Sequence, residues 1–248
     1  MPFRIENVRE TGSTNADLLA RIERGERVVE GTWLVTDRQH AGRGRQGRAW
    51  IDAPGNFMGS TVVRLSGQDP PAPSLSLVAG LAVYVSVVAR LAEPRQLQLK
   101  WPNDLLLGGA KIAGILLERS GDSAVVGIGV NLAAAPVLPD RATSKLAMIG
   151  PAPERDSFAR DLAATFQHEL ARWRQFALEP IIADWLAAAH PAGSALLVHG
   201  GEGTPLNGTF AGLEPDGALR LRLADGRVRI IHAGDVTLDG ETREKTRG

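Results

Sequence analysis

The segment from Ser74 to Ala89 reads SLSLVAGLAVYVSVVA and carries no charge over sixteen residues. It is shorter than the roughly 20 apolar residues that a membrane-spanning helix needs, and Arg90 follows it directly. A helix that is apolar all round has to be covered all round, so we expect it inside a large hydrophobic core. The 248 residues of the chain suffice for one large domain with such a core, or for a large domain and a small one.

Charge and composition narrow the kinds of partner. Lys+Arg and Asp+Glu balance at 28 each, so the chain has no general attraction to nucleic acids or to anionic lipids. We therefore expect no DNA binding and no membrane association, and an anionic ligand must be held by a local cluster of positive charge. The absence of cysteine excludes disulfides, thiolate metal sites and a cysteine nucleophile. The N-terminal residues MPFRIENVRE do not resemble a secretory signal, and we predict a cytoplasmic protein.

The pattern of apolar residues predicts an α+β fold. Helices are expected at residues 14–24, 74–89, 155–173 and 180–189. Strands are expected at residues 32–36, 57–65, 97–101, 105–107, 111–118 and 124–132, with a hairpin turn at Gly108-Gly109.

The character of the sequence changes near Pro191-Ala192-Gly193. From Ala195 to Leu238, short alternating segments are separated by Gly, Asn and Asp, a pattern typical of a small β-barrel. We predict a main domain over residues 1–192, a C-terminal β-barrel over residues 193–240 and a frayed tail over residues 241–248.

A loop rich in glycine and arginine follows the first predicted strand. Residues 42–47 match G-x-G-x-x-G, but the WIDAPG sequence at residues 50–55 is a poor start for the helix that a dinucleotide-binding motif requires. Four arginines lie within eleven residues, and their planar guanidinium groups suit phosphate or carboxylate oxygens: Arg38, Arg43, Arg45 and Arg48. Their mutual repulsion predicts a loop that stays mobile until anions neutralise it. A solvated basic loop or an RNA contact is the alternative.

A second group of polar residues lies in the predicted meander. Lys100-Trp101-Pro102-Asn103-Asp104 ends one strand, and Lys111 begins another beyond the hairpin turn. Glycines interrupt the strand patterns at Gly114, Gly127 and Gly129, and such glycines often mark where a ligand lies against the backbone. The alternative is a hairpin with solvated lysines and with Asp104 capping its own turn. The sequence does not fix which of these side chains share a face of the sheet.

Taken together and in order, these motifs resemble those of the biotin–protein ligase family. The matching segments are Ser13-Thr14-Asn15, Gln39 with residues 42–48, Trp50, residues 100–104, residues 111–116 and residues 127–132. The resemblance covers residues 10–135 by motif and extends to about residue 240 by layout. It implies a mixed, mainly antiparallel sheet packed with helices, of the kind found in biotin and lipoate ligases and in class II synthetases. Because the first motif begins at Ser13, it also implies the monofunctional type without an N-terminal DNA-binding domain.

The resemblance implies a two-step reaction with ATP and Mg²⁺. The biotin carboxylate attacks the α-phosphate of ATP to give biotinyl-5'-AMP and pyrophosphate. A lysine of a biotin carboxyl carrier domain then attacks this adenylate, which gives an amide and AMP.

The resemblance also assigns roles to individual residues. Catalytic roles fall to Arg43, Arg45, Asp104 and Lys111, with Asp104 orienting the acceptor amine or taking up its proton. Biotin binding is assigned to Ser13, Thr14, Asn15, Gln39, Gly42, Arg43, Gly44, Arg45, Lys111, Gly114, Ile115 and Leu116. Nucleotide binding is assigned to Arg45, Arg48, Trp50, Asn103, Lys111 and Asn131. Thr14 is in addition expected to cap a helix, and no metal site built by the protein is expected.

Two other functions remain open at this point. A lipoate–protein ligase would share the fold and the adenylate chemistry, although the Gly-Arg loop and the Lys-Trp-Pro-Asn-Asp turn favour biotin. A nucleotide- or RNA-binding module without catalytic activity would use the same basic loop. A homodimer formed through an exposed sheet edge is a further expectation.

Overall fold

The uncharged segment forms helix α2, Leu75–Val88, in the middle of the main core. The computed structural model describes residues 3–91, 96–139, 141–199 and 205–238. Helix α2 packs between the large sheet and two further helices, α3 (Arg155–Phe176) and α4 (Glu179–Ala188). A Cβ atom at Gly80 would lie 3.4 Å from Leu99 Cδ2 and 3.5 Å from Trp185 Nε1, so the glycine lets α2 fit closely between sheet and α4. Most of the helix is therefore buried, as the sequence predicts, although Val85 is exposed and the burial is not complete all round.

Within the described residues, no helix has both the length and the apolar character needed to cross a membrane.

Seven strands form one mixed sheet in the order β1-β2-β3-β7-β6-β5-β4. Strands β1 and β2 are parallel, and every other neighbouring pair is antiparallel. The α+β fold with a mainly antiparallel sheet is therefore confirmed. The strands are β1 Arg4–Thr11, β2 Thr32–Gln39, β3 Phe57–Arg64, β4 Leu97–Lys100, β5 Asp104–Leu107, β6 Ala110–Ser120 and β7 Ser123–Val130.

Helix α1, Thr14–Glu23, covers the opposite face of this sheet from α2. It rests on a small separate core made of Leu18, Val28, Leu34, Val62 and Val125. The helix stops before Gly25, whose positive φ of 75° suits a residue without a side chain. At its other end, α1 follows β1 after only two residues. Its first residues lie at the border between the part of the sheet that α1 covers and the part that it leaves open.

The C-terminal residues form a second, five-stranded antiparallel sheet in the order β11-β10-β9-β8-β12. Its strands are β8 Ala195–His199, β9 Leu206–Leu213, β10 Leu219–Arg222, β11 Val228–Ile231 and β12 Asp235–Leu238. Strands β11 and β12 are its two edges, and no pairing among the described residues closes it, so the predicted barrel is not confirmed. The boundary at residues 192 and 193 stays a prediction, and the predicted tail lies outside the described residues.

The second sheet is joined to the main core by direct contacts. Trp101 Nε1 donates a hydrogen bond to the Gly217 carbonyl oxygen at 3.0 Å. A Cβ atom at Gly217 would lie 2.9 Å from Leu77 Cδ1, so the turn before β10 lies directly against α2. The buried ring of His190 packs edge-on against Phe210, with 4.4 Å between the ring centroids. Burial lowers the pKa of His190 to about 4, and the charge of Lys100 acts in the same direction.

His190 should make the stability of the folded chain depend on pH. Between pH 6.5 and about 4, the unfolded chain binds a proton at this residue and the folded chain does not, so stability falls as the pH decreases. The full effect is about 3 kcal/mol. Urea unfolding at pH 7, 5.5 and 4.5 measures it, with His190→Gln expected to flatten the profile and the exposed His168→Gln to leave it unchanged. Parallel profiles for wild type and His190→Gln would contradict the prediction.

Candidate active site

One face of the large sheet carries two rows of directly paired residues. The first row crosses β4, β5, β6, β7 and β3 and consists of Lys100, Asp104, Gly114, Gly129 and Met58. The second row, two residues further along, consists of Leu116, Gly127 and Ser60. Directly paired residues in an antiparallel sheet share a face, so both rows line the same side. The three glycines lie near the middle of these rows and form a floor without side chains.

Two large side chains lie directly on this glycine floor. A Cβ atom at Gly127 would lie 2.3 Å from Asn15 Oδ1, and one at Gly129 would lie 2.3 Å from Trp50 Cε2. A Cβ atom at Gly114 would lie 2.9 Å from Lys111 Nζ and 3.1 Å from the Trp50 ring. At Gly127 and Gly129, glycine is required for Asn15 and Trp50 to approach the backbone. The groups that lie against this backbone belong to the chain itself, and contact between the backbone and a ligand stays a prediction.

A shift in strand pairing brings Lys111 onto the same face. Lys111 is three residues before Gly114, and strict alternation would place the two on opposite faces. The register between β5 and β6 shifts between Leu105 and Leu106, so that Lys111 pairs with Leu106 while Gly114 pairs with Asp104. This bulge returns Lys111 to the side of Asp104.

Asp104 lies buried between two lysines. Lys111 Nζ donates to Asp104 Oδ1 at 2.6 Å, and Lys100 Nζ lies 3.7 Å from Asp104 Oδ2. Burial by itself would raise the pKa of Asp104, but the charges of Lys111 and Lys100 and the hydrogen bond from Lys111 outweigh it, so the pKa is lower than usual. The solvated lysines and self-capping Asp104 of the alternative interpretation are therefore wrong.

Polar side chains at the start of α1 form a buried pocket. The helix cap is Ser13, whose hydroxyl accepts from the Ala16 amide, and not Thr14 as predicted. Thr14 instead donates its backbone N–H to Gln39 Oε1 at 2.9 Å, and its hydroxyl lies 2.6 Å from Ser60 Oγ. Because Ser13 caps the helix, the Thr14 hydroxyl is directed into the pocket.

Each arginine of the Gly-Arg loop faces a carboxylate. The ion pairs are Arg38–Asp52 at 3.5 Å, Arg43–Glu118 at 3.8 Å, Arg45–Asp235 at 3.7 Å and Arg48–Asp235 at 2.5 Å. Arg45 also donates to Asn103 Oδ1 and to the Gly234 carbonyl oxygen, both at 3.1 Å. Carboxylates of the chain itself thus lie beside these arginines, although Arg45 and Arg48 share one of them. The mobility expected of the free loop stays a prediction. Asp235 belongs to β12, so the second sheet reaches this loop.

The floor, the pocket and the loop enclose one cavity of about 680 Å³. That size is within the range of sites for small ligands. One part of its lining offers uncharged hydrogen-bonding groups, from Thr14, Asn15, Gln39 and Ser60, with Arg43 close by through its ion pair with Glu118. Another part carries an excess of cations over carboxylates, with Arg45, Arg48, Lys111 and Arg141 beside Asp104 and Asp235. The cavity can therefore hold an elongated ligand that is neutral at one end and anionic at the other.

Comparison with known proteins identifies the family. The model of the biotin/lipoate A/B protein ligase family matches residues 11–133, and that of the biotin protein ligase C-terminal domain matches residues 195–239. A biotin–[acetyl-CoA-carboxylase] ligase of Paracoccus denitrificans is 38% identical over 241 residues, which are 93% of this chain and 98% of that protein. The chain belongs to the biotin/lipoate protein ligase family.

Two further relatives agree with this family membership. A biotin–[acetyl-CoA-carboxylase] ligase of Mycobacterium tuberculosis is 39% identical over 239 residues, 94% of this chain and 88% of that protein. The structure of a biotin protein ligase from Aquifex aeolicus in complex with biotin and ATP superposes with a TM-score of 0.82 at 26% identity, over 95% of this chain and 98% of that one.

Nearly all residues predicted from the family resemblance line the cavity. They are Ser13, Thr14, Asn15, Gln39, Arg43, Gly44, Arg45, Arg48, Trp50, Asn103, Asp104, Lys111, Gly114, Ile115, Leu116 and Asn131. Gly42 is the exception: its carbonyl oxygen accepts from Trp50 N at 2.9 Å, and a Cβ atom there would lie 2.5 Å from the Trp50 carbonyl oxygen. Its observed contact is with the other end of the loop.

The sequence reasoning missed several residues that line the cavity in this family member. Ser60 stands next to Thr61 in β3, and nothing local in the sequence shows which of the two hydroxyls faces the site. Arg141 lies just before Ala142, whose carbonyl oxygen accepts from Lys111 N at 2.9 Å. His199 and Asp235 come from the second sheet, and nothing local in the sequence connects them with the site.

Gly127→Ala should destabilise the fold because the added methyl group meets the Asn15 amide. We expect the free energy of unfolding to fall by about 1–3 kcal/mol, measured by urea denaturation. Gly67→Ala is the matched control, since a Cβ atom there has nothing within 4 Å. Equal stability of the two variants would show that Asn15 does not hold its position on the strand.

Proposed function

We propose that this chain is a biotin–protein ligase that forms biotinyl-5'-AMP from biotin and ATP and then biotinylates a lysine of a biotin carboxyl carrier domain. The observation that carries the proposal is the single cavity that joins an uncharged hydrogen-bonding pocket to a cluster of cations. Relatives named as biotin–[acetyl-CoA-carboxylase] ligases, and a similar structure holding biotin and ATP, support the choice of biotin.

The uncharged end of the cavity suits biotin. Thr14 and Gln39 offer hydrogen-bonding groups for the ureido ring, and Asn15 lies beside them. Ile115 and Leu116 line the adjoining wall and suit the aliphatic chain of the vitamin. The biotin carboxylate then points toward the cationic end.

The cationic end suits the first chemical step, in which two anions have to approach each other. Arg45 and Lys111 lie where positive charge would stabilise the negative charge that builds up on the α-phosphate. Trp50 lies against Lys111, with the ammonium nitrogen 5.9 Å from the ring centroid, and is positioned to stack on adenine. Asn131 and Asn103 complete the proposed nucleotide contacts.

Magnesium accompanies ATP, and its ligands are expected to be mainly phosphate oxygens and water. Among the described residues, no cluster of three or more carboxylate or histidine side chains could hold a metal ion. Asp104, the buried carboxylate nearest the proposed phosphate position, is already paired with Lys100 and Lys111. The residues of the chain therefore fit a metal ion that is carried by the nucleotide.

The second step needs a neutral lysine on the carrier domain, although its unperturbed pKa is near 10.4. A carboxylate with a lowered pKa is a weak base, so Asp104 is better suited to orienting the incoming amine than to taking up its proton. Asp104 also accepts a hydrogen bond from Lys111 and so holds its ammonium group in position for the first step. Asp104 would therefore contribute to both steps.

The proposal includes a cytoplasmic location, in keeping with a chain that has no cysteine. The absence of DNA binding and a homodimer stay predictions. For the dimer, β1 and β4 form the two edges of the large sheet, and an edge strand can pair with a second copy.

Pyrophosphate exchange tests the proposed function. Labelled pyrophosphate should enter ATP when biotin is present, and neither lipoate nor the absence of an acid substrate should support the exchange. Lys111→Ala should lower the exchange rate by about 100-fold or more because it removes a cation at the reacting phosphate. Exchange that depends on lipoate would identify a lipoate ligase. The absence of exchange with either acid would favour a nucleotide- or RNA-binding module without catalytic activity.

Asp104→Asn should slow the transfer of biotin from preformed adenylate much more than it slows adenylate formation. We expect a loss of about 10- to 100-fold in transfer, because the acceptor amine loses its orienting charge. Single-turnover transfer to a carrier domain and pyrophosphate exchange measure the two steps separately. Equal losses in both would mean that Asp104 acts by holding Lys111.

A further inference from the structure

A continuous run of hydrogen bonds crosses the proposed biotin pocket, beginning at a carboxylate outside it. Asn15 Nδ2 donates to Glu118 Oε2 at 2.8 Å, and Ser60 Oγ donates to Asn15 Oδ1 at 2.6 Å. Thr14 Oγ1 lies 2.6 Å from Ser60 Oγ, and Gln39 Oε1 accepts from Thr14 N at 2.9 Å. Asn15, Ser60 and Thr14 are almost completely buried.

The carboxylate at one end of this run fixes the direction of the bonds that lead from Asn15 to Thr14. A carboxylate only accepts, so the Asn15 amide turns its nitrogen toward Glu118, and more distantly toward the Leu116 carbonyl oxygen at 3.5 Å, and its oxygen toward Ser60. Ser60 has one hydroxyl proton, which it donates to Asn15. The short contact between Ser60 and Thr14 therefore requires the proton of Thr14.

The direction of the bonds determines what the pocket presents to a ligand. The Thr14 hydroxyl lies 3.2 Å from Gln39 Oε1 as well as 2.6 Å from Ser60 Oγ, and the shorter contact takes its single proton because Ser60 donates its own to Asn15. The Thr14 oxygen then remains an acceptor. The Gln39 oxygen receives the Thr14 N–H, so this side chain presents its NH₂ group as a donor. A ureido ring has N–H donors and a carbonyl acceptor, and it complements this arrangement.

We propose that Glu118 is a positioning residue that sets the hydrogen-bonding direction of the biotin pocket and thereby its selectivity for a ureido ring. It acts through Asn15 and Ser60 and does not itself touch the substrate. This inference rests on the proposed function.

Glu118 has one other interaction that a test must separate from this one. Its Oε1 atom lies 3.8 Å from Arg43 Nη1, and the Arg43 side chain is 57% exposed. A long, solvent-exposed ion pair contributes little. A variant that keeps an accepting oxygen but loses the charge tells the two roles apart.

The experiment compares Glu118→Leu with Glu118→Gln in biotin-dependent pyrophosphate exchange. The leucine variant cannot accept from Asn15, and we expect its KM for biotin to rise about tenfold while its KM for ATP changes less than about twofold. The glutamine variant can turn its amide oxygen to Asn15, so its KM for biotin should stay within about threefold of wild type. Glu10→Leu, the same change at an exposed strand position, should alter neither constant.

Several outcomes would overturn the inference. Equal increases for Glu118→Leu and Glu118→Gln would assign the effect to the lost charge beside Arg43. An unchanged KM for biotin in Glu118→Leu, or equal increases for biotin and ATP, would remove the specific role of Glu118. A wild-type chain without biotin-dependent exchange would instead overturn the proposed function, and with it this inference.

Discussion

The whole site depends on two backbone positions that have no room for a side chain. Gly127 and Gly129 belong to a central strand of the large sheet, and Asn15 and Trp50 rest directly on them, with Gly114 beside Trp50 on the neighbouring strand. A methyl group at Gly127 or Gly129 would come within 2.3 Å of those residues. The floor of the cavity is therefore formed by the bare backbone of these glycines, and its other walls include the start of α1 and the Gly-Arg loop. Stable packing of α2 on the other face keeps this floor in place.

Ion pairing is the second principle of the site. Asp104 pairs with two lysines and Asp235 pairs with two arginines of the loop, so each carboxylate serves two cations and positive charge remains. These cations are held in place before a ligand arrives, and a phosphate or carboxylate that enters meets the remaining positive charge. Positions fixed in advance lower the cost of ordering long side chains at the moment of reaction. Asp235 makes the second sheet part of this arrangement, although most of the chain separates it from Arg45 in sequence.

The sequence predicts the elements of this fold well and the relations between them less well. The uncharged α2, the hairpin at Gly108-Gly109 and the glycine-marked strands carry strong local signals. Strand β1 was missed, because its sequence RIENVRET has few apolar residues. The cap at Ser13 was missed because Thr14, with an acidic residue three positions later, fits the capping pattern better. The closed barrel was expected from spacing alone, and spacing does not determine whether edge strands meet. Asp235 and Ser60 reach the site only through tertiary structure, which leaves no local pattern.

The shifted register between β5 and β6 couples the spacing from Lys111 to Gly114 to the presence of a bulge. A regular strand with the present spacing of three residues would turn the ammonium group of Lys111 toward the aliphatic layer under α2, where an unpaired charge is strongly disfavoured. Deleting one residue between them would remove the bulge and leave the lysine two positions from the glycine, still on the same face. The lysine and the glycine can therefore share this face at an odd spacing with the bulge or at an even spacing without it. The same rule applies to redesign: a change of one residue in this spacing has to be matched by the gain or loss of the bulge.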